Sequence, residues 1–244
     1  WYWEQDAQFR FVRFDGNPYH EAGVPDEMHY GLARWELPDT FVGEGQWRAH
    51  REQLYAHAVF HDFEMQRTTQ GGQPVWVSIS GEPIFDDAGV FTGYRGVARD
   101  ITERKLAEAE IRRLAFYDEL TGLPNRRLLM DRLDSALAAS ARDDSHGALL
   151  FLDLDNFKGI NDTLGHEWGD QLLVQVGTRI TASVRATDTV ARLGGDEFVV
   201  VQGLHVQSVA ATAESEAVAR KLLVALNQPY WVRGSEIHST PSIG

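Results

Sequence analysis

The feature that constrains this chain most is Leu193-Gly194-Gly195-Asp196-Glu197-Phe198. Thr189-Val190-Ala191-Arg192 precedes it, and the apolar run Phe198-Val199-Val200-Val201 follows. Two strand-like runs broken by paired glycines predict a β-hairpin, because glycine reaches the φ > 0 turn geometry without steric cost. Asp196 and Glu197 then stand at the turn, directly against an otherwise buried strand. Acids are ordinary turn residues, so this pair alone does not separate a solvated turn from a site.

A second stretch decides between them. Ala148-Leu149-Leu150-Phe151-Leu152 is a continuous apolar run, the pattern of a central strand buried on both faces. It ends abruptly in Asp153-Leu154-Asp155-Asn156-Phe157-Lys158. A carboxylate at the end of a core strand needs a counter-charge, since desolvation without one is costly. If the hairpin pairs beside this strand, Asp153, Asp196 and Glu197 converge. Clustered carboxylates raise one another's pKa unless a cation sits among them. All-oxygen ligands suit Mg²⁺ or Mn²⁺, which typically hold a substrate phosphate as well. The pattern points to a metal–nucleotide site.

Gly194-Gly195-Asp196-Glu197-Phe198, preceded by Asp118-Glu119-Leu120-Thr121-Gly122-Leu123-Pro124-Asn125-Arg126, resembles the diguanylate cyclase (GGDEF-domain) family. Phe157-Lys158-Gly159-Ile160-Asn161-Asp162 and Gly165-His166-Glu167-Trp168-Gly169-Asp170 match it too. Four motifs in order are far more specific than the pentapeptide. The resemblance covers residues 118–244. It implies a palm-like nucleotide-cyclase domain with a central sheet flanked by helices, which condenses two GTP into cyclic di-GMP. It also implies roles. Asp153, the Leu154 carbonyl and Glu197 would hold Mg²⁺ or Mn²⁺, with Asp196 a further ligand or the group nearest the attacking hydroxyl. Lys158 would contact phosphate, and Gly194 and Gly195 would let the backbone approach the nucleotide.

Asn161 and Asp170 match the residues that hydrogen-bond the guanine edge in this family. An acid near a helix start would also satisfy free N–H groups, so capping is the plainer role for Asp170. Arg185 and Asp188 match the family's product-inhibition site. By spacing alone they are an ordinary surface pair.

The N-terminal hundred residues carry a softer pattern. Trp1-Tyr2-Trp3-Glu4 and Phe9-Arg10-Phe11-Val12-Arg13-Phe14 read as strands, and residues 46–60 suit a helix. Pro74-Val75-Trp76-Val77-Ser78-Ile79-Ser80 alternates, with Val75, Val77 and Ile79 on one face. A turn at Asp86-Asp87-Ala88-Gly89 leads into Val90-Phe91-Thr92-Gly93-Tyr94-Arg95-Gly96-Val97-Ala98. This hairpin, ending in Asp100-Ile101-Thr102-Glu103, resembles the C-terminal half of a PAS sensor domain, here residues 1–101. Its ligand is unknown from sequence. His20, His29, His50, His57 and His61 offer haem-ligating chemistry but read more simply as core or surface histidines. Without cysteine, a flavin–cysteine adduct is excluded.

Asp100 and Glu103 have capping-box spacing, and residues 102–117 lack Gly and Pro. Ala107, Ile111 and Leu114 fall at a/d-like spacing, which suits a parallel two-helix seam or a solvated linker. The family resemblance favours the seam, and with it a homodimer through this helix and the PAS domain. The whole is an α+β chain: an antiparallel PAS-type sheet, a joining helix, and the cyclase domain.

In the second domain, Pro124 suits the first turn of a helix that carries Leu128, Leu129, Leu133 and Leu137 inward. Leu172, Val176, Ile180 and Val184 recur at four-residue spacing, the mark of an amphipathic helix. After Val201 an irregular loop is expected over 202–209, then a helix over 210–226. A hairpin is expected around Arg233-Gly234-Ser235. The closing Ser239-Thr240-Pro241-Ser242-Ile243-Gly244 resembles the start of a later core strand, so the domain is expected to continue past Gly244. Since the chain opens on Trp1, an N-terminal piece is expected too.

The net charge of −13 disfavours nucleic acid as a partner. No apolar run approaches the ~20 residues of a membrane span. The absence of cysteine fits a reducing, cytoplasmic setting. The resemblance to the diguanylate cyclase family makes GTP and cyclic di-GMP the expected partners. The competing expectation is a non-catalytic receptor that binds cyclic di-GMP or GTP and uses the PAS module to dimerise.

Overall fold

A computed structural model describes residues 1–17, 19, 24–205 and 208–244, and the side chains of all these except 203–205 and 208–211. The chain divides into two compact units, Trp1–Ala109 and Glu110–Gly244. Mixed helix and antiparallel sheet make up both. His20, weighed above as a ligand, lies outside the described residues.

The first unit is a six-stranded antiparallel sheet in the order β2-β1-β6-β5-β4-β3. Its strands are β1 Tyr2–Asp6, β2 Phe11–Asp15, β3 Thr40–Phe41, β4 Phe60–Thr68, β5 Pro74–Phe85 and β6 Phe91–Asp100. Val75, Val77 and Ile79 alternate inward as their spacing predicts. Trp3, Phe11, Leu54, Phe60, Met65, Val77, Ile79 and Tyr94 close the core. Helix α1, Glu44–Tyr55, begins two residues before the expected 46–60 window and ends five residues before its close. It is held at its end by Tyr94, whose hydroxyl donates to the Ala58 carbonyl at 2.9 Å.

Helix α2, Thr102–Phe116, begins where Asp100 accepts the Thr102 N–H at 2.7 Å. It buries none of its residues in this chain, and Leu106, Ile111 and Leu114 are exposed.

The second unit centres on an antiparallel sheet in the order β12-β7-β9-β8. These strands are β7 His146–Leu154, β8 Thr189–Gly194, β9 Glu197–His205 and β12 Pro241–Ile243. Helices α5, His166–Ser183, and α6, Ser208–Leu226, pack on one face. There Leu150, Leu152, Leu154, Leu172, Val176, Ile180, Phe198 and Leu222 form the core. Helix α3, Arg126–Asp143, reaches the other face through Leu129, against Ala191 and Val199. The hairpin of β10 Tyr230–Val232 and β11 Ser235–Ile237 turns through Arg233 and Gly234, both at positive φ.

Four expectations need correction. Strand β7 is buried on one face only: Leu150, Leu152 and Leu154 point inward, while Phe151 is 51% exposed. The cause is coverage, since α3 packs on β8 and β9. Pro124 precedes α3 rather than opening it; Asn125 is the cap, and its side chain accepts the Arg127 and Leu128 N–H groups. Leu137 faces solvent on that helix. Strand β9 runs on to His205 where a loop was expected, because His146 at the start of β7 still pairs with it.

Candidate functional site

The β8–β9 hairpin forms the edge of the site. Gly194 and Gly195 have φ of 139° and 54°, which non-glycine residues rarely adopt. A Cβ built on either would touch nothing within 4 Å, so backbone conformation is what requires glycine here. Arg192 braces the turn from beneath: its Nε and Nη2 donate to the Gly195 carbonyl at 2.9 and 2.7 Å. Its Nη1 donates to both carboxyl oxygens of Asp118, at 2.9 and 3.0 Å. Asp118 also accepts the Thr121 N–H and hydroxyl at 2.9 and 2.6 Å. Burial pushes this carboxyl up, but the Thr121 and Arg192 hydrogen bonds outweigh it and hold it below the usual range. Sequence reasoning missed this brace; its only signal was Asp118 opening a matched motif.

Strand β7 brings in the other acid. The last registered pair with β9 is Leu152↔Phe198. One step further along an antiparallel ladder sets Asp153 opposite Glu197, on the open face. Ladder alternation also assigns the backbone groups of Leu154. Phe151 and Asp155 bond to Gly244 and Thr240 on the β12 side, so Leu154 turns its N–H and carbonyl toward the β9 side, at the turn.

Burial pushes the Asp153 carboxyl up, and Asp196, Glu197 and Asp155 add repulsion. Among the described residues, no Lys or Arg pairs with Asp153, Asp196 or Glu197. Asp155 is engaged elsewhere: the Thr240 and Ser242 hydroxyls donate to it at 2.6 and 2.7 Å and hold its carboxyl down. That latch was also invisible in the sequence.

No group of three acid or histidine side chains, among the described residues, is set as a closed metal shell. Mg²⁺ does not demand one, taking one or two carboxylates together with phosphate oxygens and water. Asp153, Glu197 and the Leu154 carbonyl are hard oxygen donors in a place short of positive charge. They fit such an ion.

On the far side of β7, helix α4, Phe157–Leu164, is anchored by the buried Phe157. It leaves Lys158 exposed in its first turn. Asn161 Oδ1 is buried and has no hydrogen-bond partner. It lies directly over Gly169 in α5: a Cβ there would come within 2.0 Å of it. Asp170, the next residue, is exposed. No side chain caps the start of α5, and Asp170 is already in its second turn, so the capping role is not what its position serves.

Arg185 and Asp188 sit at the opposite end of β8, roughly 20 Å of strand from the glycines. The Arg185 N–H donates to Asp188 Oδ2 at 3.0 Å, and Arg185 Nη1 pairs with Glu214 of α6 at 2.5 Å. They form a separate locus from the acids.

Comparison with known proteins follows the same division. The model of the diguanylate cyclase GGDEF domain matches residues 115–244, and that of a PAS domain matches residues 35–103. The bifunctional diguanylate cyclase/cyclic di-GMP phosphodiesterase MucR of Pseudomonas aeruginosa is 49% identical over 138 residues. These are 57% of this chain and 19% of MucR. The diguanylate cyclase TpbB of the same species is 38% identical over 137 residues, 56% of this chain and 31% of that one. The chain thus spans a minor part of the curated relatives it matches. Among solved structures, the coiled coil and GGDEF domain of DgcB from Caulobacter crescentus, in complex with c-di-GMP, superposes with a TM-score of 0.51. It is 30% identical, over 59% of this chain and 75% of that one. The chain belongs to the diguanylate cyclase GGDEF-domain family and carries a PAS domain ahead of the GGDEF domain.

Proposed function

We propose that this chain is a PAS-regulated diguanylate cyclase, condensing two GTP into cyclic di-GMP with release of pyrophosphate. The observation that carries the reading is the unneutralised acid set at the end of β7, where Asp153 is repelled by Asp196 and Glu197 beside a turn held open by two glycines. A merely structural turn would have no reason to keep these charges together.

In this reading the catalytic acids are Asp153, Asp196 and Glu197, and the Leu154 carbonyl completes the metal-binding donors. Bound Mg²⁺ or Mn²⁺ would polarise the phosphoryl oxygens and ease deprotonation of the attacking hydroxyl. Lys158 binds phosphate. Asn161 Oδ1 accepts from a guanine N–H, which would satisfy an oxygen otherwise buried without a partner. Asp170, beside it across Gly169, accepts from the same edge.

Each domain holds one GTP, and two domains face each other. The 3′-oxygen of one GTP bonds to the α-phosphorus of the other, its proton leaves, and the bond to pyrophosphate breaks; the reciprocal step closes the ring. Positioning supplies much of the rate. Pairing through α2 and the PAS domain brings the two sites together, and Arg185 with Asp188 binds the product. GTP supply places the reaction in the cytoplasm.

The test is nucleotide selectivity. The intact protein with Mg²⁺ should convert GTP to cyclic di-GMP, leave ATP untouched, and stop on chelation. Conversion of ATP at a comparable rate, or GTP binding without product, would overturn the reading in favour of another nucleotide or of a receptor.

A further inference from the structure

Asp155 is the acid nearest in the chain to Asp153, and the proposed site does not use it. Both are exposed on the open face at the end of β7, about 7 Å apart along the strand, while Leu154 between them is buried. Two carboxylates at that spacing can share one divalent cation. Asp155 is turned elsewhere. The Thr240 hydroxyl donates to its Oδ2 at 2.6 Å and the Ser242 hydroxyl to its Oδ1 at 2.7 Å. Thr240 immediately precedes β12 and Ser242 lies on it.

The direction of that pull matters. In the order β12-β7-β9-β8, strand β12 flanks β7 on the side away from the β8–β9 hairpin. Each hydroxyl therefore draws one oxygen of Asp155 away from Asp196 and Glu197. Ser242 is the register partner of Asp153, yet its hydroxyl goes to Asp155. The electrostatics agree with the geometry: of the three acids that repel Asp153, Asp155 contributes least, behind Asp196 and Glu197, although it is the closest in sequence. The strands do not need this carboxylate in order to pair. Their backbones are already in register from Pro241↔Leu154 to Ile243↔Leu152, and Phe151 and Gly244 exchange bonds at 2.9 and 3.0 Å.

We propose that Thr240 and Ser242 are positioning residues for the metal site: by holding Asp155 toward β12 they keep it out of the donor set, so that cation binding depends on the nucleotide's phosphates. This rests on the metal site proposed above. Asp153, Glu197 and the Leu154 carbonyl leave most coordination positions to phosphate oxygens and water, the arrangement that Mg²⁺ favours. A further carboxylate would tighten the hold on the bare ion. It would also favour Ca²⁺, which takes more carboxylate oxygens than Mg²⁺ does.

The test is Mn²⁺ binding to the intact protein without nucleotide, read from the free-ion electron paramagnetic resonance signal. The native protein is compared with Thr240→Val/Ser242→Ala and with that pair combined with Asp155→Asn, folding being checked by circular dichroism. The pair should bind Mn²⁺ about tenfold more tightly than the native protein. Ca²⁺ should displace Mn²⁺ from it better than Mg²⁺ does, and adding Asp155→Asn should cancel the gain. Thr240→Ser, which keeps the hydroxyl, should bind like the native protein. A role confined to joining β12 to β7 predicts the opposite sign, weaker binding that Asp155→Asn does not restore. Unchanged or weaker Mn²⁺ binding by the folded pair overturns the inference, and so does a gain that survives Asp155→Asn. If the pair does not fold, Ser242→Ala alone decides: a gain of about threefold is expected, and no gain overturns the inference. Cyclic di-GMP formation is not among these readouts, so failure of the proposed activity stays distinct from failure of the positioning role.

Discussion

Arg192 joins Asp118 to the glycine turn: one guanidinium donates to both Asp118 oxygens and, from its other nitrogens, to the Gly195 carbonyl. The side chains are 10% and 20% exposed, so the pair is worth more than a surface bridge. The conformation that presents Asp196 and Glu197 is therefore set by a residue that touches neither. Arg192→Met should cost about 2 kcal/mol of stability and lower cyclic di-GMP formation by about tenfold or more. Urea unfolding and a product assay read the two effects separately. Unchanged turnover would mean the turn holds its shape without the brace.

Gly169→Ala tests the guanine edge. The added methyl would meet Asn161 Oδ1 at 2.0 Å and must displace that side chain. The methyl would also meet the buried Phe157 ring at 3.0 Å, which outweighs the small gain in helix propensity, so stability should fall by about 1 kcal/mol. GTP affinity should fall about tenfold, with selectivity over ATP eroded. Full selectivity in the variant would remove Asn161 from the base contact.

Arg185→Ala tests product feedback. Arg185 is largely exposed and its bridge to Glu214 is a surface pair, so stability should stay within about 0.5 kcal/mol of the native protein. Cyclic di-GMP affinity should drop and inhibition should lift, with early turnover kept. Unchanged product affinity by calorimetry would move the inhibitory site elsewhere.

The first unit should be acid-sensitive. Burial, then the facing Arg34, holds His50 at about 3. Burial and Arg67, against weaker support from Asp26 and the Pro25 carbonyl, hold His29 at about 4. Both lie below the unfolded value near 6.5. As pH falls through 6.5 the unfolded chain takes up protons that the folded unit refuses, so stability falls between pH 6.5 and about 4. Two protons give a slope of up to about 2.7 kcal/mol per pH unit. Urea titrations followed by tryptophan fluorescence should show it, and His50→Gln should roughly halve it. A flat profile from pH 7 to 5 would contradict the buried neutral pair.

The parts legible in sequence were local. The Gly194-Gly195 turn, the alternation of β5 and the four-residue spacing on α5 each announce themselves within a few residues, because backbone preference and periodicity decide them. What stayed hidden depends on distant partners. Asp118 and Arg192 are 74 positions apart, and Asp155 and Ser242 are 87. The open face of β7 depends on where α3 packs, which an apolar run cannot state. Arg34 and Arg67 belong to a residue type that is normally exposed, so no pattern placed them in a core.

The account's central claim rests on Glu197. Glu197→Gln keeps the side chain's shape but removes a charge from the set that faces Asp153. The measurement is initial-rate cyclic di-GMP formation from GTP and Mg²⁺ by the intact protein and this variant at equal concentration, with folding checked by circular dichroism. The account predicts robust product from the native protein and a loss of about a hundredfold or more in the variant. Native-like rates from Glu197→Gln would contradict it.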